Sequence, residues 1–307
     1  MQTPASYCGR FAPSPTGPLH FGSLVAAIGS YLDARHYQGE WLLRVEDIDP
    51  PREVAGASDD ILRTLEQLRM GWDGPVVYQS MRTRLYEDAL DSLQQQGHLY
   101  HCGCSRREVA DSAIHTRGGA IYPGTCRNGL PAGRSPRSVR VRVHTAEITL
   151  QDRLQSGLHQ QLETDTGDFI VRRADRLIAY QLAVVVDDAD QGIDHVVRGA
   201  DLIESTPRQI YLQQLLGLPT PAYLHLPVAI DAGNAKLSKQ TFAQPITVDD
   251  SNQAVLDALR FLNQPLPDSP QDASLEELWQ WAAVHWDSSA IPASRTLPAP
   301  AQYTESG

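Results

Sequence analysis

The arrangement of residues 7–45 constrains the fold more than any other part of the sequence. Tyr7 to Phe11 is a short apolar run typical of a strand, and residues 12–18 (APSPTGP) predict a turn, since prolines at this density exclude a helix or sheet interior. Apolar residues then recur at helical spacing from about His20 to Tyr37, Gly39 ends that pattern, and Glu40 to Val45 predicts a second strand. A strand, a helix and a strand in this order form a βαβ unit, which predicts a parallel, doubly wound α/β sheet.

Similar patterns return later in the chain. The further predicted strands are Val139 to Val143, Ala183 to Val186, His195 to Arg198 and Leu226 to Ile230. The further predicted helices are Val54 to Met70, Arg82 to Gln96, Pro207 to Leu216, Ser251 to Asn263 and Leu275 to His285. The region from His101 to Arg137 lacks sustained periodicity and is interpreted as an insertion, and the last stretch, rich in Pro, Ala and Ser, predicts a loose tail.

The composition is that of a globular protein. The 307 residues are 41% hydrophobic and 21% charged, which is enough apolar material for one large core or two smaller ones. The N-terminus does not resemble a signal peptide, and no window is apolar over the ~20 residues that a membrane-spanning helix needs. We therefore expect a cytoplasmic protein without a membrane partner.

The charge is unevenly distributed along the chain. The net charge of −11 argues against a protein that binds nucleic acids through a generally basic surface. Between His101 and Arg142, however, eight arginines accompany only Glu108 and Asp111. This region is either a basic module that contacts a nucleic acid or a solvated insertion, and the charge pattern leaves both open.

Three of the four cysteines fall within the same insertion. Cys102, Cys104 and Cys126 are clustered, and in a cytoplasmic protein such a cluster indicates metal ligands rather than disulfides. A structural zinc site needs four ligands. Candidates for the fourth are Tyr122, His98, His101 and His115, and three reduced loop cysteines without metal remain the alternative. Cys8, in a predicted strand, is expected to be a core residue.

The turn after the first strand is a candidate site for phosphate groups. The helix that follows it has free backbone N–H groups and the positive end of its dipole at its start. Gly17 and Gly22 allow a ligand to approach the backbone closely. His20 can donate a hydrogen bond to a phosphate oxygen. A proline-rich turn capped by a histidine is the structural alternative.

Two other segments favour the phosphate site over the structural alternative. Residues 44–52 (RVEDIDPPR) end a strand with three carboxylates, at the position where a doubly wound sheet holds its ligands. Residues 236–240 (KLSKQ) form a polar loop with two lysines after a later strand. Each segment alone has a plain interpretation as a solvated loop, but the three in this order indicate a nucleotide-dependent enzyme.

In these segments the chain resembles the catalytic domain of class I glutamyl-tRNA synthetases. Residues 10–23 match the N-terminal motif of that family, with His20-Phe21-Gly22-Ser23 as the HIGH element, and residues 236–240 match the KMSKS element. The resemblance also covers residues 44–49, 180–188 and 197–201, and so spans about four-fifths of the chain. It implies a Rossmann-like domain that activates glutamate as its adenylate with ATP and Mg²⁺.

The resemblance also implies a role for individual residues. The residues implied to bind glutamate are Arg10, Phe11, Ala12, Pro13, Ser14, Glu46, Tyr180 and Arg198. Those implied to bind ATP are His20, Gly22, Ser23, Lys236, Ser238 and Lys239, with His20 and Lys239 as the catalytic pair. Arginine suits a carboxylate because its planar fork can bind both oxygens, and a glutamate carboxylate can pair with the ammonium of the substrate.

The chain departs from the family motifs at three positions. Ser23 replaces the second histidine of HIGH, Leu237 replaces a methionine, and Gln240 replaces the final serine of KMSKS. The second and third changes are mild. The first weakens the expected contribution of that position to ATP binding but leaves His20 in place.

The insertion resembles that of the glutamyl-queuosine branch of the family. In that branch a Cys-x-Cys pair, a tyrosine and a third cysteine bind a structural zinc ion, which implies Cys102, Cys104, Tyr122 and Cys126 as ligands here. The resemblance divides the chain into the first half of the catalytic domain (1–100), the inserted zinc module (101–175), the second half with the KLSKQ loop (176–245) and a short helical C-terminal region with a tail (246–307).

About 67 residues follow Gln240, fewer than the anticodon-binding region of a glutamyl-tRNA synthetase requires. Together with the resemblance to the glutamyl-queuosine branch, this short C-terminal region implies a monomer that activates L-glutamate without tRNA. The glutamyl group would then be transferred to queuosine in the anticodon loop of tRNA(Asp). Three alternatives stay open: a truncated glutamyl- or glutaminyl-tRNA synthetase that charges a 3′ end, a non-catalytic paralogue, and another nucleotidyltransferase that acts on a small carboxylate.

Overall fold

A computed structural model describes residues 7–116, 119–237, 246 and 251–304. Its largest sheet has five strands, all parallel, in the order β12–β11–β1–β2–β3. These strands are β1 (Cys8–Phe11), β2 (Glu40–Val45), β3 (Val77–Tyr78), β11 (His195–Gly199) and β12 (Ala222–Leu226). The predicted doubly wound parallel sheet is therefore confirmed.

Helices cover both faces of this sheet. One core contains side chains of α1, α8 and α9, and the other contains side chains of α3, α6 and α7. The helices are α1 (Phe21–His36), α2 (Ala57–Gln67), α3 (Thr83–Gln95), α4 (Arg106–Ser112), α5 (Leu162–Asp165), α6 (Tyr180–Asp190), α7 (Thr206–Leu216), α8 (Ser251–Phe261) and α9 (Leu275–His285). Burial of apolar side chains on both faces explains why the sheet strands read as apolar runs.

The strand order reverses between β1 and β11. From β1 the chain moves outward through β2 to β3, whereas β11 pairs with the opposite edge of β1 and leads to β12. A crevice opens at the carboxyl ends of the two strands that flank such a reversal, and ligands of open α/β sheets bind there. The residues at these ends are Phe11 and Gly199, which immediately follow Arg10 and Arg198.

The segment between α3 and α6 has a sheet of its own. β4 (Leu99–Cys102), β7 (Ser138–Val141) and β10 (Ile170–Arg172) pair antiparallel, in the order β10–β7–β4. Two hairpins accompany this sheet: β5 (Ile114–Thr116) with β6 (Gly119–Ile121), and β8 (Glu147–Leu150) with β9 (Leu158–Gln161).

Most predicted elements are confirmed to within a few residues. The strand at Glu40–Val45 and the helix at Leu275–His285 have the predicted bounds. The prediction of a strand at Ala183 to Val186 is wrong, because these residues lie within α6. This helix packs against α3 and α7 and buries every residue from Leu182 to Asp188, so the apolar run carries no helical periodicity.

The prediction of a loose C-terminal tail is wrong for the described residues up to Thr304. β14 (Thr296–Pro298) pairs in parallel with β13 (Val228–Ile230), and the ring of Tyr303 stacks on Phe21 with 4.3 Å between centroids. A three-residue strand that is held by backbone hydrogen bonds to a distant segment leaves no periodic signal in the sequence.

None of the helices in the described ranges combines the length and the apolar character that crossing a membrane requires.

Candidate active site

The turn between β1 and α1 is held in place by backbone hydrogen bonds. The carbonyl of Pro13 accepts from the N–H of Glu46 at 2.9 Å, and that of Pro15 accepts from the N–H of Val54 at 2.9 Å. Gly17 has φ 131°, a conformation that favours glycine. The turn is thereby joined to the acidic segment that follows β2, and the two lie together at the carboxyl edge of the sheet.

His20 is the N-cap of α1. Its Nδ1 accepts a hydrogen bond from the backbone N–H of Ser23 at 3.3 Å, which leaves Nε2 directed away from that helix turn. An N-terminus of a helix attracts anions through its free N–H groups and its dipole. The cap therefore fixes the imidazole ring beside a site that suits a phosphate.

The segment that leads into the KLSKQ loop lies next to this helix start. A Cβ atom at Gly22 would lie 3.6 Å from the carbonyl oxygen of Leu237. Leu237 is buried, and its N–H donates to Ala229 at 2.9 Å. Lys236 pairs with Asp201, with 2.6 Å between Nζ and Oδ2. The HIGH-like and KMSKS-like segments thus adjoin at Gly22 and Leu237.

Ser238, Lys239 and Gln240 lie outside the described residues. The proposed ATP contacts of Ser238 and Lys239, and the catalytic role of Lys239, therefore rest on the sequence motif.

A buried carboxylate links the ends of β1 and β2. Asp188 Oδ1 accepts from Arg10 Nε at 3.2 Å and from Arg44 Nη2 at 2.7 Å. Arg44 also lies 3.7 Å from Asp187 Oδ2, and its side chain is fully buried. Burial by itself raises the pKa of Asp188, but Arg10 and Arg44 outweigh it and hold that pKa below its usual range.

Glu46 lies at the edge of this group. Its Oε1 is 3.7 Å from Arg44 Nη2, and its side chain is 10% exposed. Burial raises the pKa of Glu46 to about 7, while Arg44 and Arg10 oppose that rise and Asp188 and Asp187 add to it. Glu46 is therefore a carboxylate that changes protonation near neutral pH and has no short ion pair with Arg44.

Arg198, at the end of β11, supplies a second buried guanidinium group. Its Nη1 lies 3.4 Å from the hydroxyl of Tyr180, at the start of α6. Burial raises the pKa of Tyr180, Arg198 and Arg10 lower it, and Glu46 raises it. Arg10, Glu46, Tyr180 and Arg198 consequently lie close enough to influence one another, at the predicted crevice between β1 and β11.

A second group of side chains lies in the insertion. Among the described residues, the Sγ atoms of Cys102, Cys104 and Cys126 lie within 4.8 Å of one another. The hydroxyl oxygen of Tyr122 lies 3.4 Å from the Sγ of Cys102 and 3.7 Å from that of Cys104. His101 is exposed and faces away from Cys102 on the alternating strand β4.

The local charges favour a thiolate at Cys102, whereas burial raises the pKa of the Cys104 thiol to about 11. Burial by itself raises the pKa of the Cys102 thiol, but the Tyr122 hydroxyl and the Arg140 guanidinium outweigh it and lower the pKa to about 7. The Arg140 guanidinium lies over the ring of Tyr122, 3.8 Å from its centroid. Thiolates are the form of cysteine that binds metal ions.

Comparison with known proteins identifies the family of the chain. A sequence model of the family "tRNA synthetases class I (E and Q), catalytic domain" matches residues 8–264. Proteins named glutamyl-Q tRNA(Asp) synthetase are similar over nearly their full length. The protein from Dechloromonas aromatica is 58% identical over 96% of this chain and 99% of its own length. The protein from Aromatoleum aromaticum is 53% identical over 97% of this chain and 94% of its own length. The chain belongs to the glutamyl-Q tRNA(Asp) synthetases, within the class I synthetase family.

A solved structure supports the fold. The structure of a glutamate tRNA ligase from Elizabethkingia meningosepticum matches with a TM-score of 0.78 at 23% identity, over 97% of this chain and 68% of that chain. At this identity the match shows a shared fold and nothing about function.

The structure brings some of the predicted glutamate-binding side chains together and directs at least one of them away from the crevice. The side chains of Arg10, Glu46, Tyr180 and Arg198 converge at the crevice. The ring of Phe11 instead packs against Trp41 in the core, with 6.2 Å between centroids, so only its backbone can face a ligand. The remaining predicted residues in the turn are Ala12, half-buried, Pro13, buried, and Ser14, exposed.

Sequence reasoning did not assign a role to several residues that complete the site. Asp188 joins Arg10 to Arg44, and His225 and Gln209 contact Arg198. Asp188 and His225 are buried polar residues within apolar segments. That pattern was visible in the sequence, because charged or imidazole groups in such segments need a partner.

We predict that Asp188→Asn lowers the free energy of unfolding by about 3 kcal/mol, because the buried Arg10 would lose its ion pair and Arg44 would lose its shortest one. Denaturant unfolding followed by circular dichroism measures this change. Asp190→Asn is the matched control: its ion pair with Arg82 is half exposed, so its loss should cost less than about 1 kcal/mol. Equal effects of the two substitutions would contradict the role given to Asp188.

Proposed function

We propose that this synthetase activates L-glutamate with ATP, without tRNA, and transfers the glutamyl group to queuosine in tRNA(Asp). The observation that carries the proposal is the 58% identity to a protein named for that reaction, over 96% of this chain and 99% of the relative. The crevice contributes the chemistry that such a reaction requires: two buried guanidinium groups and a carboxylate. We infer that the enzyme acts as a monomer in the cytoplasm, where ATP and tRNA are present.

The charges of the crevice match those of a glutamate zwitterion. We assign Arg198, with Tyr180, to one carboxylate of the substrate, because a charged guanidinium N–H group is a strong donor to a carboxylate oxygen. Arg10 lies beside the turn and adds positive charge for the other carboxylate. Glu46 is assigned to the substrate ammonium, since its contact with Arg44 is long enough to leave its oxygens available. Ala12, Pro13 and Ser14 would line the same turn through backbone groups.

ATP is assigned to the start of α1 and to the KLSKQ loop. His20, Gly22 and Ser23 would contact phosphate at the helix N-terminus. Lys236, Ser238 and Lys239 would approach from the loop, and Mg²⁺ would accompany the nucleotide. The substrate α-carboxylate attacks the α-phosphorus and pyrophosphate leaves, so the protein contributes position and charge rather than a covalent intermediate.

The arginines of the insertion are the candidate contact surface for the tRNA anticodon loop. Arg106, Arg107, Arg134 and Arg137 are exposed there. Others in the segment serve the fold instead: Arg127 pairs with the buried Asp168. Single-stranded RNA loops are recognised through exposed bases and phosphates, which suits a local basic surface on an acidic protein.

The deciding experiment measures transfer of labelled glutamate to purified tRNA(Asp), with and without queuosine, in the presence of ATP and Mg²⁺. Only the queuosine-containing tRNA should become labelled. Labelling of unmodified glutamate tRNA would instead identify an enzyme that charges a 3′ end. Absence of glutamate-dependent pyrophosphate exchange would indicate a non-catalytic paralogue.

The rate of glutamate activation should rise with pH through about 7. With a pKa raised to about 7, Glu46 is protonated below that pH and then cannot pair with the substrate ammonium. Pyrophosphate exchange at low glutamate concentration, measured from pH 6 to 8.5, tests this expectation. Glu46→Gln should be less active and should lose this rise. A rise of the same size in both proteins would assign the titration to another group.

The thiol cluster is proposed to hold one structural zinc ion, with Cys102, Cys104, Tyr122 and Cys126 as ligands. Tetrahedral zinc with normal bond lengths separates two sulfur ligands by about 3.8 Å and a sulfur from an oxygen ligand by about 3.5 Å. The Cys104–Cys126 sulfur distance is 3.7 Å, and Tyr122 lies 3.4 and 3.7 Å from two sulfurs. A bound ion would tie together a small core that consists mainly of these four residues.

Cys104→Ser should lower the zinc content from about one ion per chain to well below that and should destabilise the insertion. Elemental analysis of the purified protein measures the metal, and limited proteolysis measures the insertion. The matched control is Cys8→Ala, which removes the buried cysteine of β1 and should leave the zinc content unchanged. Full metal content in Cys104→Ser would refute the ligand assignment.

A further inference from the structure

The orientation of Arg198 depends on hydrogen-bond acceptors behind it. Its Nη2 donates to Thr206 Oγ1 at 2.9 Å and to Gln209 Oε1 at 2.7 Å, and its Nε donates to His225 Nε2 at 3.2 Å. A guanidinium has only donors, so each partner must present a lone pair. For His225 this requirement selects one tautomer, with the proton on Nδ1.

Asp152 selects that tautomer. Its Oδ2 lies 2.6 Å from His225 Nδ1, and both side chains are fully buried. A carboxylate only accepts hydrogen bonds, so Nδ1 carries the proton and Nε2 keeps its lone pair for Arg198. Burial lowers the pKa of His225; Asp152 opposes that change and Arg198 adds to it, which favours the neutral ring.

The direction of Asp152 is itself fixed by the backbone. Its other oxygen, Oδ1, accepts from the N–H groups of Leu154 at 3.0 Å, Gln155 at 2.8 Å and His225 at 3.2 Å. These three donors determine which oxygen faces His225. The strand register supports the arrangement, because Arg198 on β11 lies directly beside His225 on β12.

We propose that Asp152 and His225 are positioning residues for glutamate recognition: Asp152 holds His225 as the Nε2 acceptor that aims Arg198 at the substrate carboxylate. The inference rests on the proposed role of Arg198 in glutamate binding. Neither residue is assigned a contact with the substrate. Both act through Arg198, whose remaining Nη1 N–H group must be directed at the substrate carboxylate.

Asp152→Asn tests the proposal with a minimal change. The three backbone N–H groups would retain the amide oxygen at the Oδ1 position, so the amide NH₂ would face His225 Nδ1. The ring would then carry its proton on Nε2 and present a donor to the Nε–H of Arg198. A reversed tautomer from an aspartate-to-asparagine change has a known large effect in the serine-protease triad.

We expect the KM for glutamate to rise about tenfold or more in Asp152→Asn, with the KM for ATP within about twofold of the parent. Pyrophosphate exchange measures both constants, and a melting curve checks the fold. Asp194→Asn is the matched control, since Asp194 forms a similar 2.6 Å pair with His195 at the other end of β11. It should leave the KM for glutamate unchanged.

Nitrogen-15 NMR of the histidine side chains reads the tautomer directly, and the signals lost in His225→Gln identify His225. The parent should carry the proton on Nδ1, and Asp152→Asn should carry it on Nε2. An unchanged tautomer in Asp152→Asn would overturn the proposal. So would a rise in the KM for ATP equal to that for glutamate, which would indicate general damage.

A double-variant cycle separates positioning from a purely structural role of Asp152. In a His225→Leu background no side-chain hydrogen bond connects Asp152 with Arg198. There, Asp152→Asn should raise the KM for glutamate by no more than about twofold. A rise as large as in the parent would show that Asp152 acts independently of His225 and would overturn the proposal.

Arg198→Lys distinguishes failure of this inference from failure of the proposed function. If Arg198→Lys raises the KM for glutamate but Asp152→Asn does not, Arg198 binds glutamate and the positioning pair is wrong. If Arg198→Lys leaves that KM unchanged, the assignment of Arg198 to the glutamate pocket is wrong, and the inference fails with it.

Discussion

The carboxylate of Asp188 is the interaction on which the site depends. It accepts hydrogen bonds from Arg10 at the end of β1 and from Arg44 at the end of β2, both of which are buried. Two guanidinium groups of like charge repel each other in a medium of low dielectric, and Asp188 offsets that repulsion where the two strands end side by side. Asp188 comes from α6, and thus the same contact fixes that helix against the carboxyl edge of the sheet.

In this arrangement the two carboxylates at the crevice, Asp188 and Glu46, have different electrostatic roles. Asp188 is engaged by two arginines, whereas Glu46 lies 3.7 Å from Arg44, its ion-pair partner among the described residues, and has a pKa of about 7. One carboxylate therefore holds the structure together and the other remains available to a ligand. Arg198 is held from behind by neutral acceptors, which orient its charge without neutralising it.

Several elements were predictable from the sequence because their signals are local. The βαβ unit of β1, α1 and β2 was predicted from periodicity and from the turn that contains three prolines. α6 was misread because it is buried on nearly all sides. β12 was missed, since the strand predicted at Leu226 to Ile230 overlaps it at Leu226 and otherwise corresponds to β13. β14 was missed because its pairing with β13 joins segments that are remote in sequence.

The site residues likewise divide into those that the sequence indicated and those that only the structure showed. The resemblance to the synthetase family implied Arg10, Glu46, Tyr180 and Arg198, and the clustering of cysteines indicated Cys102, Cys104 and Cys126. The partners Asp188, Asp152 and His225 could not be assigned, since their contacts span 73 to 178 residues of the chain or depend on strand register. Phe11 was assigned to the pocket by position, yet its ring belongs to the core because strand side chains alternate between faces.

The sequence by itself determined the class of fold, the family and the residue types that carry charge at the site. These properties are encoded in short windows, where hydrophobic periodicity and turn chemistry act between neighbours. Only the tertiary structure decided which charges are paired and which remain available, and which nitrogen of His225 carries its proton. Those properties depend on burial and on distances between remote segments, and both arise only when the sheet and its helices have packed.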